Sequence, residues 1–118
     1  MSTDAYPRLR YSVLLGISLF LYFPLANAAD SKSDYYQLIY DFEVAGYCGL
    51  LTEDIVRATR DKRQVIEADT SLSDIELKKI RISAFVAADA EYQNRSLGGH
   101  KAWCETDGLS GVNRILKK

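Results

Sequence analysis

Two cysteines, Cys48 and Cys104, constrain this chain of 118 residues more than any other feature, provided they are oxidised. Whether they pair depends on compartment, and the N-terminus bears on that. Arg8 and Arg10 form a positive region, Tyr11 to Phe23 (YSVLLGISLFLYF) is an uncharged run of thirteen residues, and Pro24 leads to Ala26-Asn27-Ala28, the small-x-small pattern of a signal-peptidase site. Thirteen residues make about 20 Å of helix, short of the roughly 30 Å hydrocarbon core of a bilayer. Residues 1–28 therefore read as a secretory signal peptide cleaved after Ala28, with an uncleaved N-terminal anchor as the alternative and no membrane association once cleavage has occurred. A periplasmic or secreted product meets oxidising conditions, where an even count of cysteines pairs. A Cys48–Cys104 disulfide is predicted. It closes a loop of about 57 residues, for which chain entropy gives roughly 4 kcal/mol, comparable with the net stability of a small domain. The contexts GYCG and AWC set an aromatic beside each cysteine, as suits a bond buried against rings.

Ala29 to Lys118 then forms a single domain of ninety residues, enough for one modest core. Setting aside Arg8, Arg10 and Asp4 leaves 13 Lys plus Arg against 15 Asp plus Glu, a net of −2. Phosphate recognition needs a concentrated basic surface, so nucleic acid is excluded as a partner. The basic runs RATRDKR (57–63) and Lys78-Lys79-Arg81 are mixed with acids and read as solvated helix faces.

The domain carries no alternating strand pattern and reads as all-α: a small bundle of about four helices, three main ones plus short C-terminal turns, held by one disulfide. Ser33 is positioned to cap a first helix from about Asp34 to Cys48, ended by Gly49. Thr52 caps a second, with Glu53 and Asp54 in its positive first turn, running to about Ala68. In SLSDIEL, Ser73 and Glu76 make a capping box and Leu72 and Leu77 a hydrophobic staple, starting a third helix at Asp74 that is expected to reach about Leu97. Gly98-Gly99 interrupts it before a turn bearing Trp103 and Cys104. Asp107-Gly108 is a predicted stop, after which Ser110 caps a last turn or two with Val112, Ile115 and Leu116.

The stretch YYQLIYDFEVAGYCG (35–49) separates on a helical wheel into two faces. Tyr35, Leu38, Ile39 and Phe42 share one, which is assigned to the core. Tyr36, Tyr40 and Tyr47 share another, with Glu43 among them. Either helix one lies between two neighbours and buries both faces, or the tyrosine stripe docks a partner. The third helix has an apolar stripe of Ile75, Ile82, Val86 and Ala90, with Leu77, Ile80, Ala84, Ala87 and Ala88 across its other side. That pattern makes it the expected centre of the bundle.

Catalytic groups are sparse. His100 is the only histidine, GxSxG is absent, and CxxCH is absent, so no cofactor is implied. His100 and Cys104 stand at i and i+4, a spacing that suits an activated thiolate or, with Cys48, three metal ligands; a disulfide removes both options. Asp89, in a helix read as largely buried, needs a partner from another helix. Asn94-Arg95-Ser96 matches the glycosylation sequon. The function expected is that of a non-enzymatic interaction or accessory protein of the periplasm or cell exterior. It binds a protein partner, with Tyr36, Tyr40, Tyr47 and Trp103 as the nominated contacts. The alternative is a metal-binding or thiol-active protein using Cys48, His100 and Cys104.

Overall fold

The computed structural model describes residues 31–95 and 98–118. The predicted signal peptide, its cleavage site and the alternative anchor lie outside them, as do Ser96 of the sequon and Leu97. The described residues form helices with no strand, as expected.

Helix α1 is already formed at residue 31 and runs through 47, so Ser33 lies within it and does not cap it. Its C-terminus is the predicted one. Gly49 takes φ 66°, and the bonds from Gly49 N–H to Gly46 O (3.3 Å) and Leu50 N–H to Ala45 O (2.9 Å) complete a Schellman motif. Helix α2 spans Glu53–Asp69, capped by Thr52, whose hydroxyl oxygen accepts from Ile55 N–H. Helix α3 starts at Asp74 with the Ser73 half of the capping box in place, Ser73 Oγ accepting from Glu76 N–H at 3.2 Å.

Beyond this point two expectations fail. Helix α3 ends at Gln93, short of Leu97, because the carbonyl of Tyr92 is taken by Arg95 N–H (3.4 Å) and by His100 Nε2–H (2.9 Å). Nor does Asp107-Gly108 stop the chain. Helix α4 (Gly99–Trp103), entered through Gly98 at φ 92°, passes through a π turn at Cys104–Gly108 straight into helix α5 (Leu109–Leu116). Gly108 is there for room. A Cβ on it would sit 3.2 Å from both Cys48 Sγ and Leu50 Cδ1, and one on Gly111 would sit 3.0 Å from Asp41 Oδ1. The two glycines let the C-terminal helix lie against α1, and the Cys48–Cys104 disulfide joins the two there.

The central helix is α1, not α3. It buries Tyr35, Leu38, Ile39, Asp41, Val44 and Ala45, which spread over more than half its circumference. Tyr35 and Ile39 pack with Leu77 and Ala84 of α3; Leu38 packs with Ile55 of α2 and Ile115 of α5; Val44 packs with Ala88 and Trp103. Phe42, assigned to the core by the wheel, is only half-buried. On α3 the buried residues are Leu77, Ala84 and Ala88, while the stripe of Ile75, Ile82 and Val86 faces solvent. No helix among the described residues is long and apolar enough to cross a membrane.

Candidate functional site

Helices α2 and α3 both lean on α1 but diverge from each other, and the gap is a groove of about 650 Å³. Its floor is Ile39 and Phe42 of α1; its walls are Val56 of α2 and Ile82 and Phe85 of α3. Val56, Ile82 and Phe85 are 44, 52 and 49% exposed, unusual for three large apolar side chains sharing one hollow. The end nearest the α2–α3 loop is closed by a polar chain. Arg81 Nη1 donates to Tyr35 Oη (2.9 Å), Tyr35 donates to Glu67 Oε2 (3.3 Å), and Arg63 Nε donates to Glu67 Oε1 (3.0 Å). Arg60 stands one turn further along α2, held among the described residues only by a loose 3.6 Å contact with Asp61. Glu43 also lines the groove, with no hydrogen bond or ion pair among the described residues, and burial pushes its carboxyl above the usual carboxylate range.

The nominated tyrosines lie on the α3 side of α1. Tyr36 and Tyr40 are half-buried and stacked at 6.2 Å, packed at the margin of the Tyr35–Leu77 cluster. Burial, with the nearby carboxylates of Glu91 and Asp107, raises the Tyr40 phenol above its ordinary range. Tyr47 is tied inward: its hydroxyl donates to Asp89 Oδ1 at 2.9 Å and its ring stacks on Tyr92 at 4.5 Å. That hydrogen bond, with some desolvation, raises the Tyr47 phenol. It also supplies the cross-helix partner expected for Asp89, a phenol in place of a cation. Trp103 is 3% exposed, in contact with the α1–α3 packing, and the guanidinium of Arg95 lies 4.9 Å from its ring centre. Its ring therefore offers a partner almost no surface. Asn94 of the sequon is exposed at the end of α3.

The cysteine and histidine constellation is not assembled as a reactive centre. Both sulfurs are spent on each other, leaving no free thiol, and His100 stacks on Tyr92 at 4.4 Å while its Nε2–H caps the α3 carbonyl. No group of three or more His, Cys, Asp or Glu side chains placed to hold a metal ion occurs among the described residues.

Sequence reasoning missed two features. One is Asp41, 1% exposed, whose carboxylate accepts from Arg114 Nε (2.9 Å) and Nη2 (2.8 Å) and from Gln37 Nε2 (2.8 Å). The bond to Asp41 outweighs desolvation and holds the Arg114 guanidinium above its already high range. The other is the groove, whose arginines read in the sequence as a plain solvated face. Val56 within the charged α2 surface was the available signal. No family model, curated protein or solved structure matches this chain.

Proposed function

We propose that this is an exported, disulfide-stabilised helical protein that acts by binding a protein partner and carries out no catalysis. One observation supports this above the rest. Helix α3 leaves Ile75, Ile82, Phe85 and Val86 at 68, 52, 49 and 57% exposure, while Leu77, Ala84 and Ala88 fill the core on its opposite side. A helix apolar on opposite sides is ordinarily covered on both, and a contiguous apolar surface left in water marks a contact site. Tyr36 and Tyr40, which keep part of their rings accessible, are proposed as peripheral contacts. Export fits the oxidised cysteine pair and places the partner in the periplasm or cell exterior. The metal-binding or thiol-active alternative loses support from the bonded sulfurs and the engaged imidazole.

Two measurements test this reading. The intact mass of the exported protein should begin at Ala29, and a Met1 or Ser2 terminus would overturn cleavage. Cross-linking capture from the native host should enrich a partner with the wild-type protein and lose it with the double variant Ile75→Asp/Val86→Asp. These residues are exposed, so the variant should keep its helical circular dichroism. Absence of any enriched partner, or equal retention by the variant, would refute the binding role.

A further inference from the structure

Resting on that reading, we propose that the partner enters the groove between α2 and α3 as a single amphipathic helix of about three turns, with acidic residues flanking its apolar face. The length is set by α2, which lines the groove from Val56 to Glu67. Eleven steps at about 1.5 Å give roughly 16 Å, or three turns. The shape is set by the neighbours. Two helices diverging over a third leave a missing bundle position, which an apolar helix face fills by inserting side chains between Val56 and Phe85.

Three further observations select the occupant. The apolar surface does not stop at the groove: on the crest of α3, outside the groove, Val86 is exposed one turn from Ile82, and Ile75 is exposed two turns toward the N-terminus, beyond Lys78 and Lys79. A small molecule held in the hollow would leave that crest in water, whereas a protein helix and the chain flanking it cover both. A second copy is disfavoured by charge. A two-fold contact would set the groove against the same groove of a second copy, and each side would bring the same excess of guanidinium groups, Arg60, Arg63 and Arg81 against Glu43 and Glu67.

The same charges favour an acidic visitor. Within the groove Arg63 is matched by Glu67, but Arg81 donates to the Tyr35 hydroxyl and, among the described residues, Arg60 has only its loose contact with Asp61. Exposed Lys78 and Lys79 add to the positive side on α3. The opposing group is Glu43 on the α1 side of the groove, with no hydrogen bond or ion pair among the described residues. Carboxylates along the margins of an incoming helix would meet the guanidinium groups of Arg60 and Arg81, while its apolar face displaces water from Phe42, Ile82 and Phe85.

The test is selection from a displayed library of helices of about fifteen residues, with apolar positions fixed at helical spacing and flanking positions randomised, against the oxidised mature protein. Acidic flanks should be enriched. A selected peptide should lose affinity by about thirtyfold with Phe85→Asp, as for an interface anchor, and by about fivefold with Arg60→Glu. Both side chains are solvent-exposed, so folding is checked by thermal melts; Val56→Asp serves as the second groove variant if Phe85→Asp melts early.

Failure to enrich any binder, neutral or basic flanks among those enriched, or binding indifferent to the groove variants would overturn the proposal. So would a long-chain alkyl carboxylate that competes for the groove more strongly than the selected peptide. A dimer of the free protein dissolved by Phe85→Asp would assign the groove to a second copy and overturn it as well. If the native partner is lost with Ile75→Asp/Val86→Asp but unaffected by Phe85→Asp and Arg60→Glu, partner binding stands and this inference fails.

Discussion

Arg114→Met is expected to destabilise the protein while leaving every helix intact in sequence propensity, because arginine and methionine are both good helix formers. The substitution strips two charge-assisted hydrogen bonds from Asp41, a carboxylate 1% exposed, and leaves Gln37 as its remaining partner. Removing one partner of a fully buried ion pair costs about 3–5 kcal/mol. Here the Arg114 side chain is 50% exposed, so water screens one side of the pair, and the figure is discounted to about 2 kcal/mol. For a domain of this size that lowers Tm by roughly 8–16 °C.

Thermal and urea melts followed by circular dichroism measure it, with the double variant Asp41→Asn/Arg114→Met as the control. An amide needs no counter-charge, so the double variant should be more stable than Arg114→Met alone. A loss under about 0.5 kcal/mol for Arg114→Met would show that the pair contributes no more than an ordinary surface contact. A double variant less stable than Arg114→Met would refute the buried-charge explanation in particular.

Three other outcomes are expected. Gly111→Ala gains up to about 1 kcal/mol of helix propensity but places a methyl 3.0–3.2 Å from an Asp41 side chain that cannot yield, so it should destabilise by about 1 kcal/mol net in urea melts. Glu43→Gln removes a carboxyl whose folded pKa is raised. The wild-type proton is bound more tightly when folded, so Glu43 favours the fold at acid pH and costs stability as pH rises through its folded pKa; the Gln variant should therefore have the higher Tm at pH 7, with the gap closing on acidification. Reduction of Cys48–Cys104 restores the entropy of the long loop to the unfolded chain, about 4 kcal/mol, and dithiothreitol should remove most of the helical signal at 37 °C.

The features legible in the sequence were those that local chemistry decides. Thr52 and Ser73 cap their helices from one turn away, and Gly49 ends α1 through its own backbone conformation, so no distant residue was needed to place them. The even count of two cysteines likewise led to the Cys48–Cys104 pairing that the structure has. Apart from Ser33 and Ser110, which lie inside their helices instead of capping them, the failures were non-local. The end of α3 is set by His100, eight residues beyond the carbonyl it caps, and Gly108 reads as a breaker until Cys48 and Leu50 are found beside it. Asp41 is legible as buried only when Arg114, 73 residues away, folds back onto it.

The choice of central helix failed for a related reason. Helices α1 and α3 are both apolar on several sides, and a wheel ranks faces within one helix without ranking one helix against another. The small residues decide. Ala84 and Ala88 on α3, with Gly108 and Gly111 on the C-terminal helix, mark where backbones come close, and those faces meet α1. The large apolar residues on α3 are consequently the ones left outside.

The distribution of restraints around α1 bears on how the groove would open. The disulfide ties the C-terminus of α1 to Cys104, and Arg114 ties Asp41 to α5. Lys62 of α2 donates to the carbonyls of Arg114 and Lys117 at 2.8 and 2.6 Å, so α2 travels with the C-terminal helix. Helix α3 is fastened to α1 by Tyr47–Asp89 and by the Tyr92 stack. Among the described residues, the polar link running from α2 to α3 is the Arg63–Glu67–Tyr35–Arg81 chain at the loop end. The covalent and ionic fastenings thus lie on the far side of α1 or at the closed end, while Asp89, one turn from Phe85, is held by Tyr47, and Ile55, next to Val56, is packed on Leu38 and Ile115, so both walls are anchored along the groove. An incoming helix would then seat on walls that are already set, and the surfaces it covers on Val56, Ile82 and Phe85 are ones now exposed to water.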